Sequence, residues 1–308
     1  MANILVTGSQ GTLGVPLVRE LQRRGHHVTG CDLQHQADEN YYRADVANYR
    51  QLERVFERPY DYVYHLAAEF GRINGEEYYE TLWHTNVLGT RNILELQRRH
   101  GFKLIFASSS EIYGDKHADI LREELPLNES LIQQNDYAVT KWVNEVQCMN
   151  FEKRYGSPIV RLRFFNAYGP GERYHRYRSV VCLFCYRALH DMPYTVYEDY
   201  HRVFMYIDDF IPTLATVAER FTPGEVYNIG GQDYRSVREL SDLILHYLGL
   251  DDSRVTYLPK DQHNVQNKRP DISKAAKAFG HNPTVRLEEG VAKTIDWMRQ
   301  VYADTCQH

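Results

Sequence analysis

The chain has 308 residues, 43% hydrophobic and 25% charged, enough to bury a sizeable core as one large or two intimate domains. Its 36 basic residues against 41 acidic ones argue against a general nucleic-acid binder, which would carry a basic field. No apolar run approaches the roughly 20 residues of a membrane span, and the first residues run straight into a strand with no room for a signal peptide.

Asn3–Thr7 reads as a buried strand that meets Gly8, Gly11 and Gly14 in a G-x-x-G-x-x-G turn, and Val15–Leu21 follows as a helix. Gly8 permits the tight turn, Gly11 lets a pyrophosphate approach the backbone, and Gly14 lets the helix pack closely on the strand. Pro16 falls in the first helical turn, where its missing N–H costs little. The second strand, His27–Cys31, ends at Asp32, 18 residues beyond Gly14. A carboxylate there accepts both hydroxyls of an adenosine ribose and repels a 2′-phosphate, which points to NAD over NADP.

Tyr41–Val46 is a short strand, Asn48–Arg58 a helix, and Asp61–Leu66 a fourth strand whose apolar run suits burial on both faces. Ala67 and Ala68 are small and leave space for a cofactor. A loop over Glu69–Gly75 precedes one long helix, Glu76–Arg99, carrying Asn86, Gly89 and Thr90. The strand from Lys103 then empties into Ser108, Ser109, Ser110 and Glu111, at the edge where open parallel sheets bind their ligands.

Tyr137 and Lys141 stand four apart, on one helix face, and the helix continues through Trp142–Glu145. A phenol with pKa ~10 is a poor base at pH 7 unless a cation favours its phenolate. Lys141 supplies that charge and can also hold a ribose hydroxyl. The pair suits proton removal from an alcohol while a hydride leaves the same carbon. Amphipathic helices produce this spacing often by chance, so the glycine turn and the serine-rich strand end carry the reading with it.

A sixth strand spans 158–164, and chemistry gathers again over Phe165–Gly171, where the Asn166 amide can both donate and accept. The run 172–178 interleaves arginines with aromatics; a substrate lid or a solvated loop fits it better than stacking on nucleic acid. Arg202 and Arg269 offer bidentate contacts to phosphate. Asp208–Arg220 is a helix, Glu225–Ile229 a strand, and Ser236–Leu248 a helix opened by a hydroxyl cap; Leu287–Tyr302 closes the chain. Cys31, Cys148, Cys182, Cys185 and Cys306 are scattered and odd in number, as in a reducing cytosol. Cys182 and Cys185 lie on an apolar helix face and read as core residues, since no second pair or histidine cluster completes a zinc site.

Taken together, the glycine turn with Asp32, the Ser109–Tyr137–Lys141 set, Arg163 with Asn166 and the segment around Arg269 resemble the extended short-chain dehydrogenase/reductases. Within them the chain is similar to the group that remodels nucleotide-activated sugars: epimerases, 4,6-dehydratases and UDP-glucuronate decarboxylases. The resemblance runs essentially end to end. It implies an α/β fold, a Rossmann-type doubly wound parallel sheet with a smaller α/β substrate-binding domain. The NAD-binding domain would span 1–165 with a returning segment near 203–230, and the interleaved nucleotide-sugar domain 166–308.

The same resemblance implies tightly bound NAD and no metal. Gly8, Gln10, Gly11, Thr12, Leu13 and Gly14 would hold the pyrophosphate, with Asp32 on the ribose and Asp45 and Val46 against the adenine. Leu66, Ala67, Ala68, Asn86, Ser108 and Phe164, with Tyr137 and Lys141, would line the rest of the cofactor. Glu69, Ser109, Asn166, Arg173, Arg202 and Arg269 would bind a nucleotide-diphosphate sugar. The helix over 76–99 and the one after Tyr137 would pair with their copies as a four-helix bundle in a cytoplasmic homodimer, ordinary packing within one chain being the alternative.

In such enzymes the Tyr137 phenolate takes the C4 hydroxyl proton, Ser109 hydrogen-bonds the same oxygen, and hydride passes to NAD. The 4-ketone acidifies C5, after which water leaves, CO2 leaves, or the sugar turns over. Glu111 is placed for work at C5, and Ser110 stands where glucose-type dehydratases put an Asp. An ordinary ion pair of Glu111 with Lys116 or Arg122 competes with that role. The expected reaction is a 4,6-dehydration, with 4-epimerisation or a UDP-glucuronate-type decarboxylation as alternatives. A non-catalytic NAD-bound sensor and a reductase of free carbonyls are remoter; the latter would not need Arg202 and Arg269.

Overall fold

The computed structural model describes residues 1–116, 119–259 and 267–303, so Cys306 lies outside the described residues. Seven parallel strands form the central sheet. The first six are β1 (Asn3–Thr7), β2 (His27–Asp32), β3 (Tyr41–Arg43), β4 (Tyr62–His65), β5 (Lys103–Ser109) and β6 (Ile159–Phe164). Their spatial order is β6-β5-β4-β1-β2-β3, and Val226–Ile229 adds the seventh strand outside β6. Ile4, Leu5 and Val6 are all fully buried, because helices cover both faces of a parallel sheet. The order reverses beside β1, which places a crevice at the strand ends of β1 and β4.

One face packs on helices Gly14–Arg23 and Ile207–Glu219, the other on Tyr49–Val55, Gly89–His100 and Asp136–Tyr155. Arg24 ties the first two helices together, donating to Thr216 Oγ1 at 3.0 Å and pairing with Glu219 at 3.0 Å. Residues after 166 build three smaller sheets, with helices Val180–Leu189, Val237–Leu248 and Leu287–Val301 packed together beside them. Ser236 and Glu239 form the capping box expected from the hydroxyl at that helix start. Cys182 and Cys185 are buried in the Val180–Leu189 helix, and no metal-ligand cluster occurs among the described residues. No helix there is long and apolar enough to cross a membrane.

Glu76–Arg99 is not one helix. Short helices Arg72–Glu77 and Tyr79–Trp83 break at Tyr78, a π-turn covers His84–Leu88, and Gly89–His100 completes the element. The cause is tertiary. The wide turn carries Asn86, whose side chain holds the Glu69 backbone on both its groups, accepting from N at 2.8 Å and donating to O at 3.0 Å.

Candidate active site

Gly8 sits at φ 72°, and a Cβ there would lie 2.7 Å from Ala67 N, so only glycine fits between the turn and the end of β4. A Cβ on Gly14 would collide with Gly8 O, which is how closely the first helix meets β1. That helix has no side-chain cap, and Ser9 Oγ beside it is buried without a partner. Such a cradle, positive at the helix start and free of side chains, fits a pyrophosphate. The Asp32 carboxylate is fixed at the end of β2 by Gln10 N at 3.0 Å and Gln34 N at 3.2 Å, aimed along the same edge. Gln10, Thr12 and Leu13 lie in the turn itself. Asp45 accepts from Ala47 N at 2.8 Å, and the backbone carbonyls of Val46 and Ala47 accept from Asn92, which fixes this pair above Gly89.

At the ends of β1 and β4, Leu66 N donates to Thr7 O at 3.1 Å and Ala67 N to Thr7 Oγ1 at 3.4 Å. His65 is buried between Thr7 and Thr90, one ring nitrogen on each hydroxyl. Burial, with the Lys141 charge, pushes its pKa down to about 3, so it is a neutral tie and not an acid. The Asn86 amide is committed to Glu69 and Thr140, and Ser108 Oγ is given to Glu145 at 2.5 Å. Phe164 sits edge-on to Phe210 at the end of β6.

Helix Asp136–Tyr155 starts on an Asn135 cap, whose Oδ1 accepts from Ala138 N at 2.9 Å. This places Tyr137 in the first turn, 6% exposed, with Phe70 edge-on at 5.7 Å. One turn on, Lys141 is buried and donates to Ala107 O at 2.9 Å, its Nζ 5.9 Å from the Tyr137 ring centre. Burial lowers the Lys141 pKa to about 8. Burial also raises the Tyr137 phenol; a hydrogen bond with Ser109 pulls it back and the Glu111 charge adds to the rise. Ser109, the last residue of β5, accepts from Glu111 N at 3.2 Å and opens the short 3-10 turn Ser110–Tyr113. Ser109, Tyr137 and Lys141 thus converge at one strand end.

Glu111 makes neither of the ordinary pairs its neighbours offer. Lys116 pairs with Glu129, and Arg122 with Asp271 at 3.6 Å. Its carboxylate instead pairs with Lys268, 157 residues away, whose side chain is only 2% exposed against 21% for Glu111. Burial alone would raise the Glu111 pKa, but Lys268 and then the Arg202 charge outweigh it and hold it below the usual carboxylate range. Arg202 is buried, lies over the Tyr200 ring and donates to His201 O at 2.9 Å. Asn166, at φ 38°, donates to Val203 O at 3.0 Å, so its amide is anchored to the strand bearing Arg202.

Arg269 faces outward, exposed over the Tyr234 ring, and Arg173 is exposed as well. The sequence reading passed over Lys268 in favour of its neighbour. Lys268 ends the short strand Asn267–Lys268, whose pairing with His201–Arg202 carries it beside Arg202, and Arg269 lies just beyond that strand. Arg163 is also no surface ligand. It is wholly buried, in a two-pronged pair with Glu145 at 2.8 and 2.9 Å. The loop 172–178 is anchored by Tyr174, stacked on Tyr186 at 3.7 Å, while Arg176 and Tyr177 both reach Glu77 across the crevice.

The NAD dependent epimerase/dehydratase family model matches residues 4–230. The UDP-N-acetyl-alpha-D-glucosaminuronate decarboxylase of Bacillus cytotoxicus is 30% identical over 97% of this chain and 98% of its own length. UDP-glucuronic acid decarboxylase 1 of Xenopus tropicalis is 31% identical, over 96% of this chain and 72% of that protein. Among solved structures, the Bacillus cereus UDP-glucuronic acid 4-epimerase in complex with UDP-glucuronic acid and NAD superposes with a TM-score of 0.85. It is 28% identical, covering 97% of this chain and all of that one (100%).

Proposed function

Since the chain belongs to the NAD-dependent epimerase/dehydratase family of enzymes, we propose that it decarboxylates a nucleotide-diphosphate hexuronate through a 4-keto intermediate. NAD supplies the hydride acceptor, and the donor that restores the C4 hydrogen. The chain's own residues do the rest. Tyr137 takes the C4 hydroxyl proton, Ser109 holds that oxygen, and Lys141 offsets the phenolate charge. The C4 ketone makes the C6 carboxylate a β-keto acid: the C5–C6 bond breaks, its electrons pass to the C4 oxygen, and CO2 leaves. C5 then takes up a proton and the ketone is reduced.

The observation that carries this reading is the Glu111–Lys268 pair. A 4,6-dehydration asks for a base at C5 and an acid at C6. Glu111, held ionised and of lowered pKa by Lys268 and Arg202, is a weak base, and Ser110 offers no acid. A uronate asks for neither; it needs positive charge near its carboxylate, and Lys268 with Arg202 outweighs Glu111 by one unit. The uronate decarboxylases of Bacillus cytotoxicus and Xenopus tropicalis support the same choice. One observation favours 4,6-dehydration as the second reading: Glu111 Oε2 is buried and makes no direct hydrogen bond, with the Asn135 side chain near the carboxylate, which leaves it able to receive a C5 proton.

The purified protein is incubated with UDP-glucuronate, UDP-N-acetylglucosaminuronate, UDP-glucose and dTDP-glucose, and product masses are read. Loss of CO2 from a uronate is expected. Loss of water from a hexose would establish the dehydratase, and an isomer of unchanged mass the 4-epimerase. We also propose a homodimer through the exposed Trp83 and Leu88, which with Arg91 and Gln147 line a groove of about 440 Å³ on the two helices expected to form a bundle.

A further inference from the structure

Glu145 lies one turn beyond Lys141 and two beyond Tyr137 on helix Asp136–Tyr155, with no exposed side-chain surface. Three elements meet on it. From β5, Ser108 Oγ donates to Oε1 at 2.5 Å, one residue before Ser109 in the strand. From β6, Arg163 donates Nε to Oε1 at 2.9 Å and Nη2 to Oε2 at 2.8 Å. Arg163 Nη1 goes on to Tyr113 Oη at 3.0 Å and Glu123 O at 2.7 Å. A buried ion pair of this kind is seldom more stable than apolar side chains of equal volume. Its retention directly behind the reacting groups calls for another role.

We propose that Glu145, clamped by Ser108 and Arg163, is a positioning residue that sets both the seat and the electrostatic potential of the Tyr137–Lys141 dyad. Clamping holds the catalytic helix against the ends of β5 and β6, so that Ser109, Tyr137 and Lys141 stay in one register. The carboxylate also supplies the negative charge that Lys141 otherwise lacks. The other groups facing this centre are His65 from β4, Arg161 from β6, and Cys148 and Glu152 from the same helix. His65 is neutral and Cys148 a buried thiol, and Arg161 and Glu152 pair with each other at 3.4 Å. Burial lowers the Lys141 pKa, and Cys148 and then Glu145 would raise it; with Cys148 held as a neutral thiol by its own burial, Glu145 on the next turn supplies that charge.

The proposal rests on the Tyr137–Lys141 reading above, so its test has a readout that needs no turnover. In the holoenzyme carrying carbon-labelled lysine, the Lys141 ammonium is titrated by NMR, with Lys141→Arg used to assign its signal. Glu145→Gln should move the midpoint down by about one pH unit, because a nearby negative charge is lost in a low-dielectric site. Glu145→Asp keeps the charge and should titrate near the parent value even where its rate falls. In single-turnover formation of reduced cofactor, the acid limb of the pH profile should move down with Glu145→Gln and stay with Glu145→Asp. Should Glu145→Gln not fold with Arg163 left unpaired, Glu145→Gln/Arg163→Met removes both charges and should show a smaller shift in the same direction, because the lost cation opposes the lost carboxylate. A Lys141 midpoint that coincides with the parent in Glu145→Gln, or in the double variant where the single one does not fold, overturns the proposal, whether or not any sugar turns over. A parent that titrates as described but never reduces its cofactor would instead sink the dyad's assigned chemistry.

Discussion

Replacing Lys268 with methionine would leave Glu111 inside the protein with its main counter-charge gone. Breaking a buried pair by removing one partner costs roughly 3–5 kcal/mol. Three features reduce that figure here: the Glu111 side chain keeps 21% of its exposure, the Arg202 charge remains, and methionine relieves the burial that holds the Lys268 pKa below the ordinary lysine value. A loss of about 2–3 kcal/mol is then expected, or about 5 °C in melting temperature for a chain of this size. The loss depends on pH with a definite sign. In the parent, Lys268 and Arg202 hold the Glu111 pKa below its unfolded value, so its contribution is present above that value and lost as pH falls. In Lys268→Met burial dominates, the pKa rises above the unfolded value, and the ionised carboxylate becomes a penalty that protonation relieves. The difference between the two proteins should be full at pH 7.5 and shrink toward zero near pH 4. Scanning calorimetry of both across that range measures it. Glu111→Gln/Lys268→Met should regain most of the loss, since removing both partners leaves no orphan charge. A pH-independent deficit, or a double variant no better than the single one, would show that the pair does not hold Glu111 ionised.

Tyr137→Phe should cut formation of reduced cofactor in a single turnover by roughly 10²–10⁴-fold while the protein still purifies with NAD; retention of the parent rate would refute Tyr137 as the base. Lys141→Met should be inactive yet more stable than the parent at pH 7. The folded-state pKa of Lys141, about 8, lies below the 10.5 of an ordinary lysine, so burying its charge is a penalty that is full below pH 8 and fades as pH rises through that window. Allowing for the lost bond to Ala107, a gain of about 2 kcal/mol at pH 7 that vanishes above pH 10 is expected in thermal melts. Trp83→Glu should convert a dimer to a monomer in light scattering without loss of secondary structure; an unchanged mass would place the interface elsewhere.

What was legible in the sequence was local. Gly8, Gly11, Gly14 and Asp32 declare a phosphate turn because each requirement is met within a few residues of the next strand or helix. Tyr137 and Lys141 share a helix face by their spacing, and they gain meaning only beside the glycine turn and the serine-rich end of β5, which the parallel order of strands brings together with them. Lys268 was not legible, because its partner Glu111 stands 157 residues earlier and its place beside Arg202 depends on strand register. Nor was the break in 76–99, where backbone groups of Glu69 outweigh the helical preference of the segment. Arg163 and Glu145 read as a signature arginine and a helix-face acid. Only the meeting of two strands and a helix turns them into one buried unit.

The seventh strand of the sheet has a consequence for how the chain is made. Phe164 ends β6, but the strand that covers its outer edge ends at Ile229, 65 residues later. At about 10 residues per second of synthesis, about 6 s pass between their emergence. During that interval β6 presents unpaired N–H and C=O groups, and the apolar face that Ile207–Glu219 will cover lies open beside the first helix. A nascent chain halted between these points therefore exposes a ready template for pairing with another copy. Gene fragments ending near residue 165 should yield insoluble product, whereas those that include Ile229 complete the sheet.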